Sequence, residues 1–484
     1  MGFGNNIVLR LVVLWLLAGS SAWAGQTVDC GLTHPRLSRV VNARCHDFRV
    51  PLNYEQPGGK KIDLHVAVIP ASGNAPMPDP LFFFAGGPGQ SAVDSAVLMW
   101  PVFRKLIAHR DIVLIDQRGT GQSTPLTCPR DEARLELGAD DEQLRQEMAR
   151  CLEKQTVDVR WFTSRQAVQD VDFVRRRLGY ERINVMGVSY GTRVAHLVLR
   201  EYPDRVRSIV IDGVMPPQVI LGPEYADNLA ASLQKLFMYC EGDSSCAKAF
   251  AGLEQEWARY LRQPISDKRE FHLAHPRTGK VLDLEVSRQQ GADAAVRLLS
   301  YASETRALLP LLIHQAAQGE WDGLVIQALR FADRLEKEIA LGMHNSVVCS
   351  EDVPYYGEAD TGDGDNRVLG RMSRQLRVIC SQWPRGESYA DVHRPLSSDV
   401  PALLLSGELD PVTPIGYGEM ALKQFSHGSH LVVPGQGHNV SPRGCVPELI
   451  EDFLDRLALD QEKAACVQDT PRLPFFIDNM GPGA

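Results

Sequence analysis

An apolar run, Ile183-Asn-Val-Met-Gly-Val-Ser-Tyr-Gly191, passes directly into a helix-forming stretch that reaches about Tyr202. A strand that turns this sharply into a helix brings side chains from both elements close together. Only small residues fit two places before and two places after the apex, and glycine stands at both, Gly187 and Gly191, around Ser189. The serine backbone at such an apex is strained. Gly-x-Ser-x-Gly alone recurs by chance, and its placement between strand and helix is what gives it weight. The chain is thereby directed to an α/β structure with Ser189 at the apex of a strand–turn–helix.

A serine hydroxyl is a poor nucleophile until a base takes its proton, and the base needs an orienting acid. Both occur downstream, each just past an apolar strand-like run, where α/β sheets place their sites. Pro401-Ala-Leu-Leu-Leu-Ser-Gly-Glu-Leu-Asp410 offers Asp410, with Glu408 as a rival acid, and Ser429-His-Leu-Val-Val433 leads into a glycine-flanked loop carrying His438. The order Ser, acid, His is that of a nucleophile elbow and its partners. His196, His427 and His430 read as packed or surface imidazoles. A developing oxyanion needs donors. The strand-like Pro80–Ala85 runs into Gly86-Gly-Pro-Gly-Gln90, where Gly87, ahead of Gly86, is the expected amide donor, and the amide of Tyr190 is the second.

Five motifs share one order and spacing: Gly86-Gly-Pro-Gly89, Asp116-Gln-Arg-Gly-Thr-Gly-Gln-Ser123, Gly187-Val-Ser-Tyr-Gly191, Gly407-Glu-Leu-Asp-Pro-Val-Thr-Pro414 and Gly437-His438. Together they resemble the prolyl iminopeptidase and tripeptidyl aminopeptidase family of α/β hydrolases, and the secreted tripeptidyl aminopeptidase-like branch more than the other. Ala85 departs from the histidine usual before Gly-Gly-Pro-Gly in prolyl iminopeptidases, which points away from a strict proline preference. The resemblance covers nearly the whole sequence after the leader. It implies an α/β-hydrolase fold and release of residues or short peptides from a free N-terminus.

Arg10, the apolar Leu11–Ala18 and Ala22-Trp-Ala24 read as a signal peptide over residues 1–24, too short for a membrane anchor. All ten cysteines follow it, an even number that suits disulfides in an exported protein. Short loops favour local pairing: Cys30 with Cys45, Cys128 with Cys151, Cys240 with Cys246, Cys349 with Cys380, and Cys445 with Cys466. The close Cys-x-x-Cys pairs of a zinc site are missing from the sequence, so no metal is expected. A net charge of −9 argues against nucleic acid as a partner.

The domain expectation is a hydrolase core over residues 25–214, a helical cap over 215–397 and the rest of the core, with the acid and the base, over 398–484. Within the core, residues 25–48 read as a lead-in, Phe48–Asn53 and Ile62–Ile69 as a hairpin, and Ser164–Leu178 as a helix capped by Ser164. Arg118 is expected to pack the loop beside the site. An aminopeptidase must hold the substrate ammonium with a carboxylate, since an unpaired buried charge is costly. Glu351 and Asp352, with Glu224 behind them, are the candidates. The reading is therefore a secreted serine aminopeptidase acting on peptides without cofactor. An esterase or amidase on the same triad, and a catalytically silent fold used for binding, are the alternatives.

Overall fold

The computed structural model describes residues 27–482, apart from 35–36, 129–139, 263–267, 275–278, 280, 288–295, 298 and 358–370. The expected leader, residues 1–24, lies outside the described residues.

The short apolar runs become strands of one sheet. In chain order these are β1 (Thr27–His34), β2 (Leu37–Pro51), β3 (Lys61–Ile69), β4 (Leu81–Phe84), β5 (Ile112–Ile115), β6 (Ile183–Val188) and β7 (Val206–Asp212). After an excursion that carries β8 (Lys268–Ala274) and β9 (Val281–Ser287), the sheet resumes with β10 (Ala402–Gly407) and β11 (Gly428–Val433). Among the described residues its nine strands lie in the order β1-β2-β3-β5-β4-β6-β7-β10-β11. From β5 to β11 all neighbours are parallel, while β1, β2 and β3 add an antiparallel flank. β4, β5, β6 and β10 are buried at every position, as expected of parallel strands covered on both faces. Their side chains alternate between two cores: Phe82, Phe84, Val113 and Ile115 enter one, Leu81, Phe83, Ile112 and Leu114 the other.

The chain runs from β4 outward to β5 and then back across to β6. Loops leaving β4 and β6 diverge there, which is where a parallel sheet opens a crevice at its carboxyl edge. The Gly86–Gln90 loop and Ser189 sit at these two strand ends.

Three local expectations change. Residues 27–34 and 37–51 are strands rather than a lead-in, and their antiparallel pairing carries a Cys30–Cys45 bond. The excursion between β7 and β10 is helical over Tyr225–Gly242, Leu309–Ala317, Asp322–Glu338 and Leu341–Glu351, but it also contains the antiparallel β8–β9 hairpin. It has a core of its own, built on Leu233, Phe237, Trp257, Leu312, Trp321 and Val325. The helix over Ser164–Leu178 is capped at Thr163 without a side-chain bond, and the Ser164 hydroxyl is engaged elsewhere. Disulfides join Cys30–Cys45, Cys128–Cys151, Cys240–Cys246, Cys349–Cys380 and Cys445–Cys466, and no described cysteine is free.

Candidate active site

Ser189 ends β6 and precedes the helix Tyr190–Glu201, with φ 56° and ψ −124°. A non-glycine residue in the left-handed half of the map costs about 1–3 kcal/mol and persists only where its surroundings enforce it. The enforcement is visible. Ser189 N donates to Asp212 O at 2.8 Å, and Ser189 O accepts from Thr192 N and Thr192 Oγ1 at 2.9 and 2.6 Å. A Cβ on Gly187 would stand 2.2 Å from Gly191 O, and one on Gly191 would stand 2.2 Å from Phe84 O. The flanking glycines are thus required by backbone against backbone.

Asp410 and His438 come together from the loops after β10 and β11. His438 Nδ1 lies 2.7 Å from Asp410 Oδ2, and both side chains are buried. Asp410 Oδ1 accepts from Val412 N and Thr413 N at 2.8 and 2.9 Å, and Oδ2 also accepts from Thr413 Oγ1 at 2.6 Å. Burial pushes the Asp410 carboxyl up, but the His438 charge and these donors outweigh it and hold the group below the usual carboxylate range. Burial likewise pushes His438 down, and Asp410, with a smaller contribution from Asp212, brings it above the ordinary imidazole value. An ionised carboxylate only accepts, so Nδ1 carries the proton and Nε2 the lone pair. His438 Nε2 is buried with no hydrogen-bond partner among the described residues. Glu408 does not compete: it accepts from Tyr239 OH and from Gly435 N.

Asp212, at the end of β7, escaped the sequence reading. Its carbonyl holds Ser189, and its carboxylate accepts from Val440 N and Ser441 N at 3.0 and 2.7 Å, fixing the loop that carries His438. A Cβ on Gly213 would meet His438 Cε1 at 2.9 Å, so Asp212-Gly213 also backs the imidazole. The available signal was an acid and a glycine directly after a buried strand. Tyr301 contributes from the other side: its carbonyl accepts from His438 N at 3.2 Å, and its ring meets the imidazole edge-on at 5.1 Å.

Gly87, Ser189, Tyr190, Glu224, Tyr225, Tyr301 and Tyr417 line one cavity of about 10 Å³, roughly room for a single water. Tyr190 is the first residue of its helix, where the amide has no intrahelical acceptor. Gly87 has φ 111°, which favours glycine. The loop it sits on is anchored by Asp116, whose carboxylate accepts from Ser91 Oγ, Val93 N and Gln122 N. Arg118 is fully buried and forks onto Asp170 with two 2.7 Å bonds, joining the Asp116–Ser123 loop to the helix Ser164–Leu178.

The expected amine-binding acids separate. Glu224 lines the cavity and accepts from Tyr417 OH. Glu351 and Asp352 are 0% exposed and do not line it. Both Glu351 oxygens accept from Ser164, and Asp352 takes a two-pronged bond from Arg193 at 3.0 and 2.8 Å and a third from Leu221 N. Fully buried and outside the cavity lining, Glu351 and Asp352 are not placed where a substrate ammonium could reach them, so these two expectations are corrected.

Comparison with known proteins agrees with this architecture. The family model described as alpha/beta hydrolase fold matches residues 79–239, and the one described as TAP-like protein matches residues 366–466. The chain is an α/β hydrolase. Serine protease Hip1 of Mycobacterium tuberculosis is 24% identical to this hydrolase over 489 residues, 89% of each chain. Tripeptidyl aminopeptidase of Streptomyces coelicolor is 24% identical over 93% of the hydrolase and 86% of its own length. Carboxylesterase B of Mycobacterium tuberculosis is 33% identical over 199 residues, 38% of each chain. No described helix of the hydrolase is long and apolar enough to cross a membrane.

Proposed function

We propose that the chain is an exported serine aminopeptidase that releases N-terminal residues or short peptides. The observation that supports this is a strained Ser189 and the Glu224 carboxylate lining one crevice, with the buried Asp410–His438 pair against two of its lining residues, Thr413 and Tyr301. In this reading His438 Nε2 takes the Ser189 hydroxyl proton as Oγ attacks the scissile carbonyl. The Gly87 and Tyr190 amides receive the oxyanion, and the same imidazole returns the proton to the leaving amine. Water, activated by His438, then resolves the acyl-enzyme. Glu224 holds the substrate ammonium, a role that the name of the tripeptidyl aminopeptidase suits. Residues 215–397 act as a cap over the core formed by 25–214 and 398–484. Export is supported by the five disulfides.

A second reading, an esterase on the same residues, is favoured by the 33% identity with Carboxylesterase B. The deciding assay sets fluorogenic free-amine mono-, di- and tripeptide amides against N-blocked amides and simple esters, with Ser189→Ala beside the native protein. Free-amine peptide cleavage lost in the variant establishes the aminopeptidase. Ester cleavage alone establishes the second reading.

A further inference from the structure

Glu351 closes the helix Leu341–Glu351 inside the protein, and its carboxylate is spent on one residue: Ser164 N reaches Oε1 and Ser164 Oγ reaches Oε2, each at 2.7 Å. Ser164 Oγ in turn lies 2.6 Å from the hydroxyl of Tyr190, whose ring is buried. Tyr190 is the residue after Ser189, so the chain of bonds ends on the side chain that anchors the start of the elbow helix. The neighbours facing Glu351 are Tyr190 and Arg193 from that helix, Ser164 from the helix Ser164–Leu178, and Asp352 next in sequence. Tyr389 and His393 complete the shell, with His393 Nε2 2.7 Å from the Glu351 carbonyl. Arg193, whose charge acts on Glu351, forks onto Asp352 instead.

We propose that Glu351 acts through Ser164 as a positioning group for Tyr190, and thereby for the backbone amide that receives the oxyanion, an inference that rests on Ser189 being the nucleophile. The wire has a direction. Ionised Glu351 only accepts, so Ser164 Oγ–H points to it and keeps a lone pair for the Tyr190 O–H. Protonated on Oε2, Glu351 becomes a donor to Ser164 Oγ. Ser164 then donates to Tyr190, whose own hydroxyl proton is left facing no acceptor among the described residues. A buried donor without an acceptor is costly, and the ring relieves that cost by shifting. Burial pushes Glu351 up to about 7, with Arg193 and Ser164 opposing. The ordered wire therefore belongs to the alkaline side of neutrality and the reversed one to the acid side.

The test measures kcat and KM from pH 5.5 to 9 for the native protein, Glu351→Gln, Ser164→Ala, Tyr190→Phe and the Glu351→Gln/Tyr190→Phe double variant. Thermal melts and labelling by a fluorophosphonate accompany the kinetics. Losing a whole oxyanion donor costs about 10²–10³ in kcat, so a misaimed one should cost about ten-fold. Glu351→Gln and Ser164→Ala are expected to lose that factor in kcat with KM unchanged. The acid limb of the native protein should be steeper than one ionisation allows and fall to a single ionisation in Glu351→Gln. In the Tyr190→Phe background, which has no hydroxyl proton to strand, adding Glu351→Gln should change kcat less than two-fold. Native kcat and limb in both single variants, or the same ten-fold loss in the double variant, overturns the proposal. If neither single variant folds, a single-ionisation limb in the native protein does so. Absence of fluorophosphonate label on native Ser189 overturns the underlying reading instead. Label with an unperturbed Glu351→Gln overturns the positioning role alone.

Discussion

At the scale of single residues, the proposed base is governed by a balance of opposing effects. Burial works against an imidazolium at His438, and Asp410 at 2.7 Å overcomes it, so the folded value lies above the ordinary one. Only the neutral imidazole can take a proton from Ser189. Activity is therefore expected to fall as pH drops through a value higher than that of free imidazole, and kcat/KM against pH reads this directly. Asp410→Asn removes the charge and offers Nδ1 a different partner. Its expected loss in kcat is about 10⁴-fold, with fold and KM little changed, because the tautomer rather than the shape is altered. Glu224→Gln tests the ammonium contact: a charge-assisted bond contributes about 1.5–3 kcal/mol, so KM for free-amine peptides should rise about ten-fold or more while N-blocked amides are unaffected. Equal KM changes for both substrate classes would remove Glu224 from that role.

At the scale of elements, the strand–turn–helix at Ser189 is the most tightly determined part of the molecule. Gly191→Ala forces a methyl to 2.2 Å from Phe84 O, a backbone atom in the sheet centre that cannot swing aside. The expected loss is at least about 3 kcal/mol, the upper end of overpacking. Gly416→Ala is the control: its Cβ meets nothing within 4 Å and lies in the helix Ile415–Leu422, where alanine should gain about 0.5–1 kcal/mol. Urea midpoints compare the two. This element was legible in the sequence because apolar run, glycine spacing and helical run all agreed, and β10 and β11 were legible as short apolar runs. Ser164 was not. A serine at a helix start ordinarily caps it, and nothing local reveals that Glu351, 187 positions on, takes its hydroxyl instead. The acids at 351 and 352 misled for a related cause: their burial depends on Ser164 and Arg193, which only folding brings near. The strands before Phe48 were hidden because β1 and β2 are mostly exposed and lack a continuous apolar run.

At the scale of the whole molecule, the sheet and the excursion between β7 and β10 meet at the crevice beside Ser189. Tyr225 and Tyr301, from the excursion, line it together with Val412 and Tyr417 of the resumed core. Within the excursion, Cys349–Cys380 fixes the helix that carries Glu351. The bond ties the helix Leu341–Glu351, two residues before Glu351, to the helix Arg371–Cys380, across a separation of 31 residues. Cys30–Cys45 spans 15 residues in the antiparallel flank at the sheet's far edge. Chain entropy alone gives each bond about 3–4 kcal/mol, so serine pairs at either site should lower the urea midpoint by similar amounts. Their effects on catalysis should differ. Cys349→Ser/Cys380→Ser is expected to lower kcat along with stability, because Glu351 and the wire to Tyr190 lose their fixed end. Cys30→Ser/Cys45→Ser should leave kcat unchanged at temperatures where both variants are folded. Equal kcat in the two pairs would show that the helix holding Glu351 is fixed by its packing alone.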